Sequence, residues 1–302
     1  MCRTPRLPAL ATRALLALFG LAMFLALPAA ATQRVEIDGR FYLVDLPARP
    51  QGAALIVALH GGGGDPAQFA ASSGLGQAAT AAGYAVVFPA GSSRRGAERL
   101  LTWNGGYCCG FAARRGVADE AFLKAVIADA QRRFGLDGAR VFVTGMSNGS
   151  ILAETFAAQN PGAVRALAGV SGSMDAARVR VAGPVPVLLI HGTADRMVPY
   201  GGGQGSRSAT RTDFASVASV LAAFLAAQPG VLAQTERRWE TGAGDATAVR
   251  VTDWTAGGKA RLRLITIEGG AHVWPGGARL STGKTQGISA TAEILRFFDQ
   301  YR

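Results

Sequence analysis

Residues Ala53-Ala54-Leu55-Ile56-Val57-Ala58-Leu59 form an apolar run without polar alternation, followed at once by His60 and four glycines. A strand with no polar side reads as buried on both faces, the condition of a parallel strand covered by helices above and below. The rest of the chain repeats the theme. Strand-length apolar runs lie at 41–46, 84–88, 141–143, 164–170, 185–190, 249–254 and 262–267. Helices are predicted at 68–82, 119–134, from Gly149 to about 159, at 214–227 and at 288–301, with Gly83 and Gly135 as stops. Strand and helix in alternation predict an α/β domain with a mostly parallel central sheet and helices on both faces. No internal repeat or long linker interrupts residues 32–302, so a single domain is expected there. A Gly-, Ser- and Arg-rich loop is expected at 90–117.

The first 31 residues read differently. Arg3, Arg6 and Arg13 form a basic segment, residues 14–27 an apolar core, and Ala29-Ala30-Ala31 follows Pro28 as an A-x-A cleavage site. That pattern predicts a signal peptide over 1–31, cut after Ala31, and a secreted or periplasmic protein. Beyond it no stretch approaches the roughly 18 apolar residues of a spanning helix, so the mature chain is expected to carry no membrane span.

Composition removes other classes. At 302 residues and 49% hydrophobic the chain is not disordered, and its 40 glycines have no collagen period. The net charge of +11 comes from scattered arginines without a recognition motif, so no nucleic-acid partner is expected. After signal cleavage only Cys108 and Cys109 remain, side by side. Export permits a disulfide, but neighbouring Cα atoms about 3.8 Å apart are closer than a disulfide usually spans. A vicinal bridge and two free thiols therefore both stand. Two cysteines and three histidines leave no metal site expected. The sequence leaves the oligomeric state open.

The most informative short pattern is Gly145-Met146-Ser147-Asn148-Gly149, between a β-rich run and a helical one. Glycines flanking a serine on a tight strand-to-helix turn make a nucleophile elbow. A serine hydroxyl needs a base, and the chain offers only His60, His191 and His272. His60 and His191 each end a buried strand before glycine and read as loop-shaping. His272 lies in a loop after a late strand and is the expected base. An acid must orient it. Asp195 follows the strand at 185–190 and completes the order Ser147, Asp195, His272, that of α/β hydrolases. Asp213 reads as a helix cap and Asp253 as a strand residue; Asp245, in a loop, is the remaining rival. Backbone donors for a developing oxyanion are expected near Gly62, in the loop after 53–59, and at Asn148. No Gly-Lys-Ser/Thr follows the glycines, so a phosphate loop is set aside. Asp119 and Glu120 read as first-turn helix charges.

These motifs occur together in one family. His60-Gly61-Gly62-Gly63-Gly64, Trp103-Asn104 with Cys108-Cys109-Gly110, Gly145-Met146-Ser147-Asn148-Gly149, His191-Gly192-Thr193-Ala194-Asp195 and Gly270-Ala271-His272-Val273-Trp274-Pro275-Gly276 resemble the exported polyhydroxybutyrate depolymerase esterases, relatives of feruloyl and acetylxylan esterases. The resemblance spans about 34–302. It implies an α/β-hydrolase fold, Ser147 as nucleophile, Asp195 as orienting acid, His272 as base, and no cofactor. Ala271 departs from the glycine more usual there. Trp103, Tyr107 and Trp274 lie in or beside the motif loops, where they either wall a substrate pocket or only pack the loops. The partner expected is a small or oligomeric ester, and the absence of a polymer-binding module or Ser/Thr-rich linker favours soluble oligomers or small esters. A prolyl-oligopeptidase-type peptidase and a non-catalytic binding protein on the same fold are the competing readings.

Overall fold

The computed structural model describes residue 1 and residues 32–241, 248–278 and 287–302. The predicted signal peptide, apart from Met1, lies outside the described residues. The strands are β1 (Gln33–Ile37), β2 (Arg40–Asp45), β3 (Leu55–Leu59), β4 (Ala85–Pro89), β5 (Val141–Met146), β6 (Ala166–Val170), β7 (Val187–Gly192), β8 (Gly203–Gln204), β9 (Asp213–Phe214), β10 (Ala233–Glu240), β11 (Ala248–Ala256) and β12 (Lys259–Glu268). The helices are α1 (Pro66–Ser73), α2 (Leu75–Ala81), α3 (Gly110–Arg114), α4 (Asp119–Phe134), α5 (Asn148–Gln159), α6 (Val217–Ala226) and α7 (Ala290–Phe298).

Among the described residues, ten strands form one sheet in the order β1-β2-β4-β3-β5-β6-β7-β12-β11-β10. From β4 to β12 every neighbour is parallel, and antiparallel strands close both edges. β3 shows why: Leu55, Val57 and Leu59 enter one core cluster with Leu123 and Phe156, while Ile56 and Ala58 enter the other with Phe142 and Phe298. An alternating strand could not supply both layers. This is the α/β-hydrolase arrangement, and it brings the ends of β3, β5, β7 and β12 to one side of the sheet.

Several expectations are corrected. The helix expected at 68–82 is two helices, because Gly74 takes a left-handed φ of 63° and ends α1. The helix expected from 214 starts at Val217, capped by the Ser216 hydroxyl, which accepts from the Ser219 N–H at 3.0 Å. Asp213 pairs instead in the small β8·β9 sheet. The loop at 90–117 contains α3. β1 and β10 carry no strand signal: they are polar, and β10 is exposed along its whole length. Main-chain pairing at the sheet edges forms them. Among the described residues no helix is long and apolar enough to cross a membrane.

Candidate active site

β5 runs into Ser147, and α5 begins at the next residue. Ser147 has φ 55° and ψ −123°, a conformation side-chain-bearing residues rarely adopt, costing about 1–3 kcal/mol. Bonds on both sides hold it: Ser147 N–H donates to Val170 O at 2.8 Å and Ile151 N–H to Ser147 O at 2.9 Å. The flanking glycines are required by close approach. A Cβ on Gly145 would lie 2.5 Å from the Gly149 carbonyl, and one on Gly149 would lie 2.4 Å from His60 O.

Asp195 follows β7 and is buried. Its Oδ2 lies 2.7 Å from His272 Nδ1, and its Oδ1 accepts from the N–H groups of Met197 at 2.8 Å and Val198 at 2.9 Å. The ionised carboxylate only accepts, so His272 Nδ1 carries the hydrogen and Nε2 of the neutral ring is left as a proton acceptor. Burial by itself would raise the Asp195 pKa, but hydrogen bonds from His191 and His272 hold it well below the ordinary carboxylate range. His272 and Ser147 line the same cavity. The competing acids are placed elsewhere. Asp253 is held by Arg263 at 2.5 and 3.0 Å and by Arg237 at 3.2 Å. Asp213 lies in β9, and Asp245 lies outside the described residues.

The glycine loop after β3 packs on the elbow: a Cβ on Gly62 would stand 3.3 Å from Asn148 Cβ. Gly63 and Gly64 spend their N–H groups on Leu101 O and Gly61 O. The Gly62 N–H has no partner among the described residues, and the Asn148 N–H, first in α5, has no intrahelical acceptor. Both are available to an anion beside Ser147. His60, at the end of β3, accepts from the Gly91 N–H at 3.0 Å through Nε2 and donates to Gly61 O at 2.8 Å through Nδ1. Burial pushes its pKa down to about 4, so it stays neutral and shapes the loop.

Two cavities flank Ser147. One, about 290 Å³, is lined by glycines 61–64, Gln68, Phe69, Met197 and His272. The other, about 270 Å³, is lined by Asn148, Cys109, Ile151, Val198, Phe214 and the Ser208–Thr210 segment. The aromatic residues singled out in the sequence pack under these walls. Trp103 is fully buried and donates through Nε1 to His60 O at 3.0 Å. Trp274 is buried, donates to the Thr291 hydroxyl at 3.0 Å, and meets Phe69 edge-on. Tyr107 donates its hydroxyl to Ser173 O at 2.6 Å and sets its ring against Phe214. None of the three lines either cavity. Cys108 and Cys109 are joined in a disulfide, and Cys109 faces the second cavity.

Three further groups bear on the site. His191 Nε2 lies 3.3 Å from Asp195 Oδ2 and 2.8 Å from Val198 O; its place four residues before Asp195 was the available signal. Asp119 is more than a first-turn charge: it is buried, pairs with Arg40 at 2.8 Å and accepts from the Asn104 N–H at 2.7 Å. Glu154, one turn beyond Ser150 on α5, is wholly buried and accepts from the Ser150 hydroxyl and the Met174 N–H, each at 2.7 Å. Nothing in the local sequence marks it apart from other helical glutamates.

Comparison with known proteins agrees with this architecture. The family model described as esterase PHB depolymerase matches residues 41–182. NocK of Nocardia uniformis subsp. tsuyamanensis, named as an esterase, is 30% identical over 241 residues, 76% of this chain and 68% of NocK. The bifunctional acetylxylan esterase/xylanase XynS20E of Neocallimastix patriciarum is 25% identical over 146 residues, 48% of this chain and 20% of that protein. Among solved structures, the acetyl xylan esterase from Aspergillus awamori superposes with a TM-score of 0.59 at 14% identity, covering 89% of this chain and 99% of that enzyme, a likeness of fold. With its family-model match over the first part of the sheet and a relative this similar across most of its length, the chain belongs to the esterase PHB depolymerase family.

Proposed function

We propose that this chain is an exported serine esterase that hydrolyses carboxylic esters by an acyl-enzyme route. The observation that carries the reading is the Asp195–His272 pair at 2.7 Å, with His272 and Ser147 on one cavity. His272 Nε2 takes the Ser147 proton as Oγ attacks the ester carbonyl. The oxyanion accepts from the Gly62 and Asn148 N–H groups, each such donor being worth about 10²–10³ in turnover. His272 then protonates the departing alkoxide, and the C–O bond breaks. Water, deprotonated by His272, attacks the acyl-enzyme; the acid leaves and Ser147 recovers its proton. Every proton moves among Ser147, His272, water and the leaving group, so the scheme calls for no metal or organic cofactor.

Chemistry also assigns the cavities. The general acid must reach the leaving oxygen, so the cavity bordered by His272 takes the alcohol portion. The cavity on the Asn148 side, floored by Ile151 and Phe214, takes the acyl group. Family membership supports 3-hydroxybutyrate oligomers as substrates. The match to the Neocallimastix acetylxylan esterase/xylanase supports a second reading, an acetyl or feruloyl ester of a plant polysaccharide. The basic, apolar and A-x-A segments at 1–31 support export.

The test is hydrolysis by the mature chain and its Ser147→Ala variant of 3-hydroxybutyrate oligomers, methyl ferulate, acetylated xylan, p-nitrophenyl acetate and a prolyl peptide amide. Ester cleavage abolished by the substitution is expected, and the fastest substrate selects the class. Cleavage that survives it removes Ser147 as nucleophile, and preferential amide cleavage moves the chain to the peptidases.

A further inference from the structure

Asp195 Oδ2 faces two imidazoles rather than one. His272 reaches it at 2.7 Å from the loop after β12, and His191 at 3.3 Å from the end of β7. The His191 Nε2 is also 2.8 Å from Val198 O. A carbonyl only accepts, so this nitrogen carries a hydrogen, which bonds Val198 O and stands beside the carboxylate, with the nitrogen 3.3 Å from Oδ2. The ring is buried, and Tyr200 meets it edge-on at 5.8 Å, with its own hydroxyl bonded to Thr266 Oγ1 at 3.0 Å. His191 is therefore fixed beneath the loop that carries the acid. That loop closes on itself, because Asp195 Oδ1 accepts from the Met197 and Val198 N–H groups. Met197 lines both cavities beside Ser147, and Val198 lines one. One buried N–H thus ties together the acid and the cavity wall.

We propose that His191 is a positioning residue for the triad: its Nε2–H fixes the Asp195 carboxylate and withdraws charge from the oxygen that holds His272. The proposal rests on the serine-esterase reading above. Around the pair, His272 faces Asp195 from one side, and Glu154 on α5 acts electrostatically on His191 from beyond it. Without the His191 donor, Asp195 Oδ2 bears more negative charge, and the imidazolium form of His272 gains stability. The acidic limb of the pH–rate profile should then move to higher pH. Simple loss of folded protein would lower activity at every pH and leave the limb where it was.

The experiment uses the mature chain without a histidine tag and p-nitrophenyl acetate as probe. In His191→Phe, kcat is expected to fall about 10- to 100-fold with KM within about twofold, as for a displaced catalytic group. The acidic limb of kcat/KM should rise by about 0.5–1 pH unit. His191→Gln keeps an N–H and should recover most of kcat and the original limb. A folded His191→Phe protein with wild-type kcat and an unmoved limb overturns the proposal. Should that variant not fold, 15N spectra decide, since the chain has only three histidines. In Asp195→Asn the His191 Nε2–H resonance should shift; an unchanged resonance means the hydrogen belongs to Val198 O alone and the proposal fails. Ser147→Ala separates the two readings. If it is inactive while His191→Phe is unaffected, only the role of His191 falls; if it remains active, Ser147 falls as nucleophile and with it the serine-esterase reading, and the spectra still judge the contact.

Discussion

Asn148 holds Trp103 by both of its backbone polar groups: Oδ1 accepts from the Trp103 N–H at 2.7 Å and Nδ2 donates to the Trp103 carbonyl at 2.9 Å. Trp103 in turn donates its indole N–H to His60 O at 3.0 Å, and its carbonyl also accepts from the Cys109 N–H at 3.1 Å. The residue after Ser147 is thus linked, through Trp103, to the start of the glycine loop and to the segment that supplies Cys109 to the second cavity. The Trp-Asn and Cys-Cys-Gly motifs are the far side of the elbow.

Asn148→Ala would leave the buried Trp103 N–H without a partner, at about 1–3 kcal/mol, while the Trp103 carbonyl keeps the Cys109 N–H. It would also loosen the two loops that frame the proposed oxyanion donors. A lower unfolding midpoint is expected together with a fall of at least about tenfold in kcat for p-nitrophenyl acetate. Wild-type kcat in a destabilised variant would mean that the staple serves the fold alone.

Much of this was legible in the chain. The β3 run is apolar on both sides because two helical layers cover it, and Gly145 and Gly149 are fixed by contacts that a Cβ would violate. Other parts left no local mark. β10 is polar and exposed and exists through main-chain pairing with β11. Trp103 looks from sequence like a pocket wall, but its environment is set by Asn148, 45 positions away. Asp119 reads as a helix-dipole charge because Arg40, 79 positions away, cannot be assigned to it from spacing.

The Arg40–Asp119 pair gives a stability prediction. Asp119 is buried and Arg40 nearly so, and Arg40 also donates to Ala90 O at 2.6 and 3.0 Å. Asp119→Asn would remove the counter-charge of the mostly buried Arg40 guanidinium, and taking one partner from such a pair costs about 3–5 kcal/mol. Urea unfolding should show a loss of about 3 kcal/mol or more. Glu98→Gln, which breaks the solvent-exposed pair with Arg34, should leave the urea midpoint almost unchanged. Equal effects would refute the distinction between the two pairs.

Glu154 predicts a pH dependence. Burial pushes its pKa up to about 7 from 4.5, against hydrogen bonds from Ser150 and Met174. Between those values the folded state keeps a proton that the unfolded state has released, so stability falls as pH rises through that window. It levels off above about pH 7. The difference corresponds to about 3 kcal/mol. Glu154→Gln can still accept from the Met174 N–H and donate to the Ser150 hydroxyl without carrying charge. It should unfold at a higher temperature than the wild type at pH 8 and should lose less stability between pH 5 and pH 8. Parallel curves for the two proteins would show that Glu154 does not titrate there.

The two cavities make the last prediction. Phe214 floors the cavity proposed for the acyl group, against Ile151 and Val198, with Tyr107 edge-on at 6.0 Å. Phe69 lines the cavity bordered by His272 and packs on Trp274. Phe214→Leu opens the acyl side at a stability cost set by the space it leaves behind. Each methylene newly buried is worth about 0.8 kcal/mol, about fourfold in kcat/KM. The octanoate-to-acetate ratio for p-nitrophenyl esters should therefore rise by at least that factor in Phe214→Leu and stay unchanged in Phe69→Leu. Acetate esters of longer alcohols should respond in the opposite way, improving in Phe69→Leu alone. Exchange of the two patterns would place the acyl group beside His272 and reverse the assignment of the cavities.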